Sequence, residues 1–147
     1  MKNISNKLEK WESLYDCEYE IPVNSILIDD LKKELGYFPN ELENFYKITN
    51  GLKCDWFEIL PIENPERVNK TWDGIKRANN IKTTKFLDAD PNLLNQFLIF
   101  ADIGGMKCAA YSRQDSTIWY EDKEQLHQTD LNLEGFIETM LLEVNTL

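Results

Sequence analysis

Asp102, Glu121 and Asp122 fall at the ends of segments that read as β-strands, and the loops at strand ends are where function concentrates. Carboxylates held close together can act as general acid and general base, so Asp102 with Glu121 or Asp122 defines one expectation, a small hydrolase. The same residues suit a second role, contact with a protein partner. Trp11, Trp56, Trp72 and Trp119 supply aromatic side chains of the kind that carry a disproportionate share of binding energy. Most belong in a core. Trp119, in the run IWYED beside Glu121 and Asp122, joins Asp102 in the candidate contact set.

Other chemistries lack their parts. His127 is the one histidine and sits in the polar stretch QLHQ, where it reads as a surface residue and not as the base of a nucleophilic site. A zinc site would have to join His127 to distant cysteines or carboxylates without any spacing signature. Cys17, Cys54 and Cys108 are widely spaced and contain no CxxC pair, which argues against a disulfide framework and predicts reduced, buried or half-buried thiols. Gly104–Gly105 is followed by Met106 and Lys107 and lacks the context of a phosphate loop, so it reads as a tight turn. No cofactor, metal or catalytic constellation is expected.

The elements that position these residues follow from periodicity. Ile4, Leu8, Trp11 and Tyr15 recur at helical spacing, and Ile21–Pro22 breaks the pattern. Asn24 or Ser25 can cap a second helix whose Leu27, Ile28, Leu31 and Leu35 share a face, with Gly36 as its stop. Pro39 suits the first position of a third helix carrying Leu42, Phe45, Tyr46 and Thr49, which Asn50–Gly51 would close through a left-handed cap. Trp56 to Leu60 reads as a strand. Asn64–Pro65–Glu66 restarts a helix with Val68, Trp72 and Ile75 in line and Asn79–Asn80 at its end, and residues 81–95 read as a loop with a helical turn near Asp90–Pro91. From Phe97 the pattern turns to β, with runs at 98–101, 107–112 and 117–120 forming an antiparallel meander. Leu133, Phe136, Ile137, Met140, Leu141 and Val144 then make a terminal amphipathic helix to pack on the sheet. The sum is an α+β fold: one domain spanning residues 1–147, a mostly antiparallel sheet flanked by N-terminal, central and C-terminal helices.

Charge narrows the partners. The chain of 147 residues carries 26 Asp and Glu against 16 Lys and Arg, a formal net charge of −10, so the basic footprint of a nucleic-acid binder is missing and a basic partner is favoured. Residues 98–147 alone hold nine acids and three bases. The same balance also serves solubility. No apolar run approaches the ~20 residues that span a bilayer, and the start MKNISNKLEKW lacks the apolar stretch of a secretory signal. The expected location is the cytoplasm.

ELGYFPNELENFYKITNG resembles the N-terminal motif of the SUKH superfamily, whose eponym is a yeast regulator of cell-wall glucan synthesis. The order that follows, a Trp-rich strand, FLIFADIGG, a strand near Tyr111, IWYED and a helix around Phe136, is similar to that family's layout from about Leu27 to Val144. The matching positions are Gly36, Pro39, Leu42, Phe45, Tyr46, Asn50 and Gly51, with Asp102, Gly104 and Tyr111 in a second block. The resemblance departs at Gly105, followed by Met106 where family members often carry a Gly-Asp pair. It implies a non-enzymatic binding domain, in bacteria largely an immunity protein that neutralises a toxin such as a nuclease, and makes a basic toxin domain the expected partner. A regulatory scaffold in glucan synthesis is the alternative.

Overall fold

The computed structural model describes residues 2–146, and side chains within residues 4–142. Helix α1 (Lys2–Tyr15) buries Ile4, Leu8 and Trp11 on the stripe that their spacing sets. It lies against the last helix, α7 (Leu133–Thr146), where Lys7 bridges Glu134 and Glu138. Leu133, Phe136, Ile137, Met140 and Leu141 of α7 are buried as their stripe predicts; the side chain expected at Val144 lies outside the described residues.

Helix α2 (Ser25–Leu35) begins where Asn24 accepts a hydrogen bond from the Ile26 N–H at 2.8 Å and ends at Gly36 in the left-handed region, φ +72°. Helix α3 (Asn40–Ile48) buries Leu42, Phe45 and Tyr46. Two expectations at its ends are corrected. Pro39 is the extended residue before the helix and not its first turn, and the helix closes on Thr49 in extended backbone, not on a left-handed Asn50–Gly51 cap. The Asn50 amide instead reaches across to the Ile62 backbone, accepting its N–H at 2.7 Å and donating to its carbonyl at 2.9 Å. Gly51, φ +95°, passes so close to a neighbouring stretch of the chain that a Cβ would stand 2.8 Å from the Ile59 carbonyl oxygen.

Strands β1 (Glu18–Tyr19), β2 (Leu52–Lys53), β3 (Glu58–Ile59), β4 (Phe97–Asp102), β5 (Cys108–Ser112), β6 (Ile118–Asp122) and β7 (Gln125–Gln128) form one antiparallel sheet in chain order. The α+β class is as read from the sequence. Phe100 packs on Tyr111 and Phe136 in the core between sheet and α7.

The expected central helix is broken. After a 3₁₀ turn at Pro65–Arg67 come two single-turn helices, α4 (Val68–Thr71) and α5 (Ile75–Ala78), and only Ile75 of the predicted stripe is buried, Val68 and Trp72 being exposed. The segment 81–95 is more ordered than a loop, with a turn at Leu87–Ala89 and helix α6 (Pro91–Gln96). The cysteine expectation is overturned as well. Cys17 and Cys54 are joined by a disulfide, because the β1–β2 register that pairs Glu18 with Lys53 brings the preceding and following residues face to face. Cys108 is the free, buried thiol.

Candidate binding site

The surface-histidine expectation fails for the same reason that β7 appears: QLHQ pairs with β6, so His127 is half-buried, stacks on Tyr120 and has its Nε2 at 3.1 Å from the Asp122 carbonyl oxygen. Alternation along β6 sends Trp119 and Glu121 to one face of the sheet, and Ile118 and Tyr120 to the other. Cross-strand pairing puts Gln128 opposite Trp119 and Leu126 opposite Glu121, on that same face.

Helix α6 covers the β4 end of this face but not β6 and β7. The result is an open groove of about 950 Å³ floored by Trp119, Leu126, Phe97 and Leu93. Trp119 is fixed: its ring meets Phe97 edge-on at 5.4 Å between centroids, and its Nε1–H donates to Thr117 Oγ1 at 2.9 Å. Met106, two-thirds exposed at the tip of the Gly104–Gly105 turn, adds apolar surface at one end. Asp88, Glu121 and Glu124 stand around it against Lys107, so the rim is acidic.

Two parts of that rim are held in backbone that side chains disfavour. Leu87, Asp88 and Ala89 take φ of 54°, 54° and 52°, and Lys123 and Glu124, the whole β6–β7 turn, take 51° and 65°. Non-glycine residues in the left-handed region cost about 1–2 kcal/mol each, and such positions cluster at functional sites. Glycine would relieve the cost and remove the carboxylates.

Of the residues named from sequence, Trp119 and Glu121 meet in this groove, while Asp122 and Asp102 do not. Asp102 accepts the Gly104 N–H at 2.9 Å and lies 3.5 Å from Lys85 Nζ, which Asp73 also approaches at 3.2 Å. Burial alone would lower the Lys85 pKa, but these two carboxylates hold it up. Glu121 accepts the Cys108 N–H at 2.7 Å. The Cys108 thiol is pushed far up, by burial first and then by Glu121 and Asp102, which disfavours the thiolate. Asp88, Leu93, Met106, Glu124 and Leu126 were missed; they come together only through the sheet register and the turns, and no spacing along the chain announces them.

The motif residues serve the fold. Tyr46 donates to the Leu60 carbonyl at 2.5 Å and Tyr111 to Glu41 at 2.9 Å, both from within the core. A second concavity of about 680 Å³, between α2 and α4–α5, holds Leu27, Leu35, Val68 and Trp72, with the Arg77 guanidinium 4.2 Å above the Trp72 ring. Its charges balance, Lys76 pairing with Glu34 at 3.2 Å. Among the described residues no group of three or more His, Cys, Asp or Glu could hold a metal ion, and no helix is long and apolar enough to cross a membrane.

The helix-backed antiparallel meander with open, side-chain-lined grooves defines a small α+β domain. The chain belongs to the SMI1/KNR4 family (SUKH-1), which it matches over residues 22–139. No curated protein and no solved structure gives a significant match.

Proposed function

We propose that this protein is a non-enzymatic binding domain, an immunity protein that neutralises a cognate toxin by covering it, with a basic nuclease-type domain as the partner. The observation that carries the reading is the Trp119–Leu126 groove, apolar in its floor and acidic at its rim, in a chain of net charge −10. Carboxylates there steer a basic surface into contact, and the fixed Trp119 ring sets the lifetime of the complex. Asp102 and Asp122, outside the groove, contribute to the long-range field only.

The test is co-expression with candidate toxin domains encoded by neighbouring genes, reading growth rescue and co-purification. Reversing the rim with Asp88→Lys and Glu124→Lys together should slow association at least tenfold at low salt and lose rescue, while Asp102→Asn leaves both intact. Association indifferent to rim charge and to salt would overturn the electrostatic account. The second reading, implied by the resemblance to the yeast relative, is a scaffold in cell-wall glucan synthesis. No rescue and no complex with any neighbouring toxin would move the weight there.

In this reading the protein works in the cytoplasm of the cell it protects. The Cys17–Cys54 disulfide favours an oxidising compartment instead, and fractionation of the producing cell decides between them.

A further inference from the structure

Resting on the partner-binding reading above, we infer that the partner engages this groove with an extended, lysine- or arginine-bearing segment that adds to the open edge of β7 as a further strand. β7 is the last strand of the sheet and, among the described residues, has β6 as its one strand neighbour. Thr129 N–H donates to the Ile118 carbonyl at 2.8 Å, which fixes the phase of the ladder. In an antiparallel pair hydrogen-bonded and non-bonded positions alternate, so Gln125 and His127 bond to β6. The N–H and C=O groups of Leu126 and Gln128 therefore point away from the sheet. No hydrogen bond among the described residues uses them.

Natural sheets protect an edge of this kind with proline, lysine, a bulge or a very short strand. The opposite edge, β1, is two residues long. β7 has four residues, no proline or lysine, and an unbroken register. Its side chains Leu126 and Gln128 lie on the groove face beside Trp119 and Glu121. A strand laid along β7 exchanges backbone bonds with Leu126 and Gln128 and sends alternate side chains to that face, where Glu124 and Glu121 meet cations. Charge complementarity selects a basic segment, and the backbone pairing selects an extended one.

The probe is a short blocked peptide of alternating lysine and valine, titrated into isotope-labelled full-length protein at low salt. A second peptide of the same sequence is N-methylated at alternate residues, which keeps its charge and removes its strand edge. The first should bind at least tenfold more tightly than the second and slow hydrogen exchange at the Leu126 and Gln128 amides. Leu126→Pro removes one outward N–H without touching the β6 ladder, and should abolish the preference for the first peptide, whereas Leu126→Ala, which only trims the groove floor, weakens both peptides and keeps that preference. Gln128→Pro is the second variant should the first disturb folding. Equal binding of both peptides without amide protection would overturn strand addition and leave the acidic groove as a binding site. Failure of both peptides to bind would overturn strand addition as well, and rescue by the neighbouring toxin would still judge the immunity reading separately.

Discussion

Glu58 stands directly opposite Asp102 across the β3–β4 ladder, so two carboxylates share one face of the sheet. Burial pushes the Glu58 carboxyl up to about 7, with Asp102 and Asp73 adding to the effect and Lys53 and Lys85 opposing it. A carboxyl with a raised pKa in the folded state binds more protons folded than unfolded, so its contribution falls as pH rises. Stability from this group is intact below its ordinary value of 4.5 and declines through about 7. The upper limit of that loss is about 3 kcal/mol. Glu58→Gln should therefore match the parent near pH 4.5 and exceed it above neutrality, read from urea midpoints across pH. Parallel profiles for the two proteins would show that Glu58 does not titrate in this window.

Asn50 replaces a peptide group for Ile62, satisfying both its N–H and its C=O from a position that is 1% exposed. Asn79 does the same for Ile99 at 2.8 Å in each direction and also donates to the Ile75 carbonyl. Asn50→Ala leaves two buried backbone groups without partners and should cost about 2–6 kcal/mol, since each orphaned group costs about 1–3. Asn50→Asp should be worse than alanine, placing a charge against the Ile62 carbonyl. Denaturant unfolding measures both, and a loss below 1 kcal/mol would mean that water replaces the amide.

Those two asparagines mark where sequence reading stops. Local signals were enough for the long helices at both ends of the chain and for α2 and α3, because Leu42, Phe45 and Tyr46 or Phe136, Ile137 and Met140 repeat at the period of the element that buries them. Asn50–Gly51 looks like a helix stop in one dimension and Asn79 does end α5, yet the amides of Asn50 and Asn79 also serve the backbone of Ile62 and Ile99, 12 and 20 residues away. β7 escaped because the turn before it is Lys123–Glu124, which lacks the Asn-Gly chemistry that marks a two-residue hairpin. Of the four residues named for contact from type and position, Trp119 and Glu121 line the groove. The rest of the groove depends on register, which no single sequence prints.

The Cys17–Cys54 bond closes a span of 37 residues linking the end of α1 to the end of β2. On the chain-entropy relation such a loop contributes roughly 4 kcal/mol by restricting the unfolded chain. The pair Cys17→Ala and Cys54→Ala, or the parent held in reductant, should lower the melting temperature by about 10 °C, while the double variant no longer responds to reductant. Cys108, buried and with its thiol pKa raised, should resist alkylation until the protein unfolds. An unchanged melting temperature on reduction would mean that the bond does not form in solution.

The β6–β7 turn separates stability from binding. Lys123 and Glu124 both adopt positive φ, the conformation that Asn-Gly takes with least strain in a hairpin of this length. Lys123→Asn with Glu124→Gly should therefore stabilise the fold by about 1 kcal/mol, raising the melting temperature by roughly 3 °C for a chain of this size. The same change deletes Glu124 from the groove rim and with it one of the cation partners argued above. Partner affinity should fall several-fold while the protein becomes harder to melt. Calorimetry of the variant and its titration against the cognate toxin domain give the two numbers. A variant that gained both stability and affinity would show that the turn is not part of the contact surface.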